Sequence, residues 1–199
     1  MKCLILTLAA LALTLSACST QAAYGGTQAT YGGATQPSSS SVTQEAPMSL
    51  SISSAAFASG QSIPAKYSCV GREVSPPLTW SGAPANAKSF ALIVDDPDAP
   101  MGTWVHWVMY NISAATNSLP EAMPAGGQLS DGSLQGKNSS GNLGYNGPCP
   151  PSGTHRYFFK LYALDTLLNL SSGSSKDQLL RAMDSHILAQ GELMGTFSK

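Results

Sequence analysis

Phe90-Ala91-Leu92-Ile93-Val94-Asp95 is apolar in every residue but the last. A run this short and continuous reads as a β-strand covered on both faces, because a half-solvated strand alternates apolar with polar residues. Such a strand needs one layer above it and another below. Thr103 to Tyr110 and Arg156 to Leu164 are rich in aromatic and β-branched residues and read as two further strands. In the second, Tyr157, Phe159, Leu161 and Ala163 share one face, and Phe158, Lys160, Tyr162 and Leu164 the other. Gly and Pro clusters at 97–102, 120–127 and 144–153 read as loops. One helix is signed by a capping-box pattern, Ser175 followed by Gln178. Leu179, Leu180, Met183, Ile187 and Leu188 then fall on one helical face, and Gly191 suits a stop. The expectation is a mainly β domain, two packed antiparallel sheets forming a β-sandwich with a peripheral C-terminal helix.

The first 17 residues stand apart from any fold. Lys2 precedes an apolar stretch from Leu4 to Leu15, and Leu15-Ser16-Ala17-Cys18 follows, which is the layout of a cleaved signal peptide. The apolar stretch is too short to span a bilayer. Leu-Ser-Ala-Cys also matches the bacterial lipobox, so Cys18 is expected to become the acylated (palmitate-bearing) first residue of an exported lipoprotein; a chance thiol is the plainer reading. Residues 18–47 are dominated by Ser, Thr, Gln, Ala and Gly, with one charge at Glu45, and read as a flexible tether. Residues 48–199 are the right length for one domain with one core.

With 10 basic and 11 acidic residues in a chain only 11% charged, nothing argues for nucleic acid or for polybasic membrane binding. Membrane attachment is expected through the lipid alone. Ser19 after the lipidated cysteine is not an acidic retention signal, which leans towards the outer membrane where the source has one. Cys3 leaves with the signal and Cys18 carries the lipid. Cys69 and Cys149 remain in an oxidising compartment, where a bridge is expected over two free buried thiols.

Three segments set titratable groups against apolar strands: Asp95-Asp96-Pro97-Asp98-Ala99-Pro100, Gly102-Thr103-Trp104-Val105-His106-Trp107, and Gly144 to Pro151 followed by His155-Arg156-Tyr157. Asp96-Pro97-Asp98-Ala99-Pro100 with Trp104-x-His106 resembles the first signature of the phosphatidylethanolamine-binding protein family. Gly147-Pro148-x-Pro150 running into His155-Arg156-Tyr157 resembles the second. Ser75-Pro76-Pro77-Leu78-Thr79-Trp80 and the 144–151 segment are similar to its bacterial Raf-kinase-inhibitor-like branch. The resemblance implies a β-sandwich with a small pocket for phosphate-like or carboxylate anions, formed by Asp96, His106, His155 and Tyr157. Pro100 and Trp104 fall on its wall, and Gly147 and Pro148 on its rim. The chemistry is reasonable from below: two imidazoles and a phenol donate hydrogen bonds, and an imidazolium adds charge. Singly these residues have plainer readings. His106, in phase with Trp104 and Val108, reads equally as a core histidine; Asp96 and Asp98 read as Asx-turn residues; His186, on the predicted helix, reads as structural.

The expected function is an extracytoplasmic binding module for a small anionic ligand, with an exported protein such as a protease as a further partner. A homodimer is left open. No catalysis, metal or cofactor is expected: G-x-S-x-G and H-E-x-x-H motifs are absent from the sequence. Two alternatives stand beside this reading. Asp96, His106 and His155 have the composition of a metal or acid–base hydrolase site, and the domain is otherwise a surface protein-interaction module.

Overall fold

The computed structural model describes residues 48–199. The expected signal peptide, Cys18 and the expected tether lie outside the described residues. The chain runs β1 (Met48–Ser49), β2 (Ser51–Ser53), a 3-10 turn (Ala65–Tyr67), β3 (Leu78–Ser81), β4 (Ser89–Asp96), β5 (Trp104–Ser113), β6 (Ser118–Leu119), β7 (Leu134–Gln135), β8 (Thr154–Leu164), α1 (Lys176–Met183) and β9 (Ile187–Ser198). Six strands form one sheet in the order β1-β9-β8-β4-β5-β7, and β2-β3-β6 form a second. Among the described strands the pairings are antiparallel except β1 with β9, which is parallel. No helix among the described residues is long and apolar enough to cross a membrane.

The apolar run at 90–94 lies in β4, near the middle of the large sheet, and every residue of that strand is buried. Its side chains divide by parity. Phe90, Leu92 and Val94 join the core between the two sheets, with Trp80, Trp107, Tyr157, Phe159 and Leu161. Ala91 and Ile93 join a separate core on the opposite face, under Leu168, Leu179 and Met183. One strand therefore serves two cores, which is why its sequence shows no alternation. Burying each large side chain contributes about 1.5–3 kcal/mol before entropy is charged against it. Tyr157, Phe159, Leu161 and Ala163 of β8 all face the inter-sheet core.

The helix is shorter than its apolar periodicity predicts. Ser175 caps it: its hydroxyl accepts from the Gln178 backbone, while the Gln178 side chain accepts from the Ser175 N–H. It ends at Met183, with Ser185 in the left-handed region at φ 64°. Ile187 and Leu188 belong instead to β9, which pairs with β8 from Leu164↔Ile187 to Thr154↔Ser198. That ladder, with Leu193 and Phe197 in the inter-sheet core, outweighs continuation of a helical stripe. Gly191 is no helix stop. A Cβ there would stand 2.3 Å from the Leu50 carbonyl oxygen, so glycine lets the Met48–Leu50 segment lie against β9. His186 sits beyond the helix, its Nδ1 2.8 Å from Asp165 Oδ1.

Candidate functional site

The large sheet ends in a cleft where the last residue of β4, the first residues of β5 and β8, and the 144–151 loop meet. Alternation alone would put His106 on the same face as Val108. The β4–β5 register instead passes from Val94↔Trp107 to Asp95↔Val105, leaving His106 unpaired in a β-bulge. The extra residue sends His106 to the cleft while Val108 packs in the core under the helix. The expected phase of His106 with Val108 is thus corrected by one inserted residue.

Each histidine is anchored through one ring nitrogen. His106 Nδ1 lies 2.7 Å from the Asn146 carbonyl oxygen, and the Asn146 N–H donates to the His106 carbonyl at 2.9 Å. His155 Nδ1 lies 2.7 Å from Asp96 Oδ2. Both imidazoles are buried, and in both Nε2 is the polar atom left over. Burial pushes the His106 pKa below the ordinary imidazole value, against the opposing pull of Asn146 and of Asp96, Asp95 and Glu73.

Asp96 carries two roles at once. Its Oδ1 accepts from the Asp98 N–H in an Asx turn, and its Oδ2 holds His155. Asp98 is not in the site. It takes a two-pronged bond from the Arg156 guanidinium and a third from the Arg156 backbone N–H, tying the loop after β4 to the start of β8. That guanidinium holds its carboxyl down at about 2.

The cleft encloses about 740 Å³. Of the residues singled out in the sequence, Asp96, Pro100, Trp104, His106, Gly147 and His155 line it; Pro148 and Tyr157 do not. Pro148 is buried behind the wall, its carbonyl accepting from the Cys69 N–H. Tyr157 lies behind His106, ring edge to ring face with centroids 5.1 Å apart. Its hydroxyl is buried and has no hydrogen-bond partner among the described residues. Burial, and then the negative charge of Asp96, push its pKa up, so it stays a donor. Gly147 must lack a side chain, since a Cβ would come within 2.7 Å of the Tyr67 carbonyl oxygen.

The sequence reading missed several wall residues. Glu73 reaches the cleft from a backbone at φ 55° and accepts from the Asn146 side chain at 2.9 Å and the Gly147 N–H at 3.1 Å. Its only sequence signal is the adjacent Gly71-Arg72 turn, which says nothing about a pocket. Ser139 and Ser140 close another side, and Met101 stands fully exposed at the mouth beside the partly exposed Trp104. Cys69 and Cys149 are bonded to each other, and their disulfide forms part of the wall. Among the described residues no lysine or arginine lines the cleft, and Glu73 and Asp96 are the carboxylates that do. Among the described residues no group of three His, Cys, Asp or Glu side chains is placed to hold a metal ion.

A fold of this topology, with two histidines and an aspartate at one end of the large sheet, defines a class that comparison makes explicit. Residues 53–198 match the family described as phosphatidylethanolamine-binding protein. The chain belongs to that family. It is 56% identical over 137 residues to the UPF0098 protein of Methanothermobacter thermautotrophicus, a match covering 69% of this chain and 91% of that one. It is similar to a solved phosphatidylethanolamine-binding protein homologue from Chlamydia trachomatis, with a TM-score of 0.70 and 47% identity over 76% of this chain and 98% of that one. YbcL of E. coli, described as a member of the mammalian family, matches with a TM-score of 0.68 and 33% identity over 75% and 98% of the two chains.

Proposed function

We propose that the domain is a binding module whose cleft captures a small phosphate- or carboxylate-bearing molecule, and that it is held outside the cytoplasm by a lipid on Cys18. One observation carries the reading of the cleft: His106 and His155 are each fixed through Nδ1, so Nε2 of each is uncommitted, with the unpartnered Tyr157 hydroxyl buried behind them. A site whose buried polar groups are held in place but unsatisfied is prepared for a ligand that completes them. The family name points to a phosphorylated head group as one source of such an anion. Catalysis has less support. The Ser139 and Ser140 hydroxyls that line the cleft are engaged with Val105 and Asn146 rather than with either imidazole. Inhibition of an exported protein is a secondary use of the same mouth, where Met101 and Trp104 are exposed.

Calorimetric titration with phosphate, phosphoethanolamine and acetate tests this, beside His155→Ala. The expected result is saturable binding that the variant loses. Absence of binding to all three by the wild-type protein would contradict the reading. Mass spectrometry of the exported protein is expected to find Cys18 acylated at the mature N-terminus; an unmodified Ser19 start would contradict the anchor.

A further inference from the structure

We propose that the cleft selects oxyanions that carry a proton, such as dihydrogen phosphate or a phosphomonoester monoanion, over fully ionised ones such as sulfate. This rests on the anion-binding reading and narrows it to a class of ligand.

The tautomer of His106 is fixed by its partner. A carbonyl oxygen can only accept, so Nδ1, 2.7 Å from the Asn146 oxygen, must carry the proton. In the neutral ring Nε2 is then a lone pair. Asn146 is not free to turn away. Its N–H bonds the His106 carbonyl, its side-chain amide donates to Glu73, and its side-chain oxygen accepts from Ser140. Protonating Nε2 would make the ring a donor on both sides, but burial works against that charge. Asp96 on β4, Tyr157 on β8 and Glu73 on the loop beyond the 3-10 turn face the ring, and Asp95 acts on it from the opposite face of β4. The three carboxylates favour the charged ring, yet desolvation is the larger influence. His106 therefore offers the ligand an acceptor.

His155 is held beside it, its Nδ1 fixed by the Asp96 carboxylate and its Nε2 uncommitted. Dihydrogen phosphate donates one O–H to His106 Nε2 and has both a second O–H and free oxygens to meet His155 Nε2. Sulfate, with no proton at neutral pH, sets an oxygen lone pair against the His106 lone pair. Its second negative charge, which dihydrogen phosphate lacks, also meets Glu73 and Asp96 in a cleft that no lysine or arginine among the described residues lines.

The test is calorimetric titration of the full-length protein at pH 7 with sodium phosphate and with sodium sulfate at matched ionic strength. Phosphate is expected to bind about 100-fold more tightly, the cost of one unpaired charged hydrogen bond. In His106→Gln the amide can turn its NH2 to the ligand, so the ratio is expected to fall to near unity. Equal affinity of the wild-type protein for the two anions would overturn the selectivity while leaving anion binding intact; failure to bind either would overturn both. A folded His106→Gln protein that keeps the discrimination would overturn the assignment to His106. Nitrogen-15 NMR of the wild-type imidazoles reads the tautomer without any variant: a proton on Nδ1 and a bare Nε2 are expected at His106, and a proton resident on Nε2 would overturn the proposal.

Discussion

Asp95 and Asp96 are consecutive residues of one strand, and at 1% and 3% exposure both are buried. Strand alternation turns them to opposite faces. Asp95 faces the helix side, where Lys160 Nζ lies 2.9 Å from one oxygen and Lys176 Nζ bonds the other. Both oxygens are met by lysine side chains, one from β8 and one from the first turn of α1. Asp96 faces the cleft and holds a single imidazole, beside a second imidazole with a free Nε2 and a tyrosine hydroxyl with no partner. The difference teaches how a fold separates a joint from a site. Asp95 is closed by two lysine side chains, one on each oxygen, and it fastens a helix to a sheet. Asp96 is closed by a single imidazole and leaves the surrounding polar atoms open, which costs stability and prepares a place for a ligand.

The largest perturbation expected lies on the open side. The Cys69–Cys149 bond closes a loop of 80 residues and joins the two segments that form one wall of the cleft. Replacing both cysteines by serine is expected to cost about 4 kcal/mol in urea denaturation on the chain-entropy view. It should also weaken phosphate binding; binding unchanged despite the lost stability would show that the bond braces the domain but not the wall. Next comes the closed side. Asp95→Ala strands two partly buried lysines and is expected to cost about 3 kcal/mol while leaving phosphate affinity as it was. A change in affinity would break the separation between the faces. Ser175→Ala removes the helix cap and is expected to cost about 1 kcal/mol, again without effect on binding.

The smallest effects are in pH dependence. His106 has a folded pKa below its unfolded value of 6.5, so the unfolded chain binds more protons in that range. Its stabilising contribution is complete above about 6.5 and is lost as pH falls below that. Asp98 behaves alike at lower pH: its contribution is present above 3.8 and is lost as pH falls towards about 2. Thermal melts of the wild-type protein and His106→Gln from pH 7 to 5 should show a steeper fall for the wild type. Parallel curves would contradict the buried neutral imidazole.

These contrasts were unevenly legible in the sequence. The run at Phe90–Val94 could belong only to a strand with cores on both sides, and the capping box marked the helix start to the residue. The helix end was not legible, because Leu179 to Leu188 fits a helical stripe by itself. Only the unseen ladder to β8 turns Ile187 and Leu188 into strand. The site showed the same limit. Asp96, His106 and His155 stand out as titratable groups at apolar strand ends. The bulge that re-aims His106, however, is a property of its pairing with β4, which no local pattern announces. Glu73 reaches the cleft from a loop far away in sequence and was invisible. Tyr157 was named with Asp96 and the two histidines as forming the pocket but stands one layer behind, since its parity places it in the inter-sheet core.

The most direct test of the account places the two carboxylates side by side: phosphate titrations and urea denaturation of Asp95→Asn and Asp96→Asn against the wild-type protein. The account predicts that Asp96→Asn loses phosphate affinity at least about tenfold for a small loss of stability, and that Asp95→Asn loses stability and keeps its affinity. Both variants losing affinity in proportion to stability, or Asp96→Asn binding phosphate like the wild type, would contradict it.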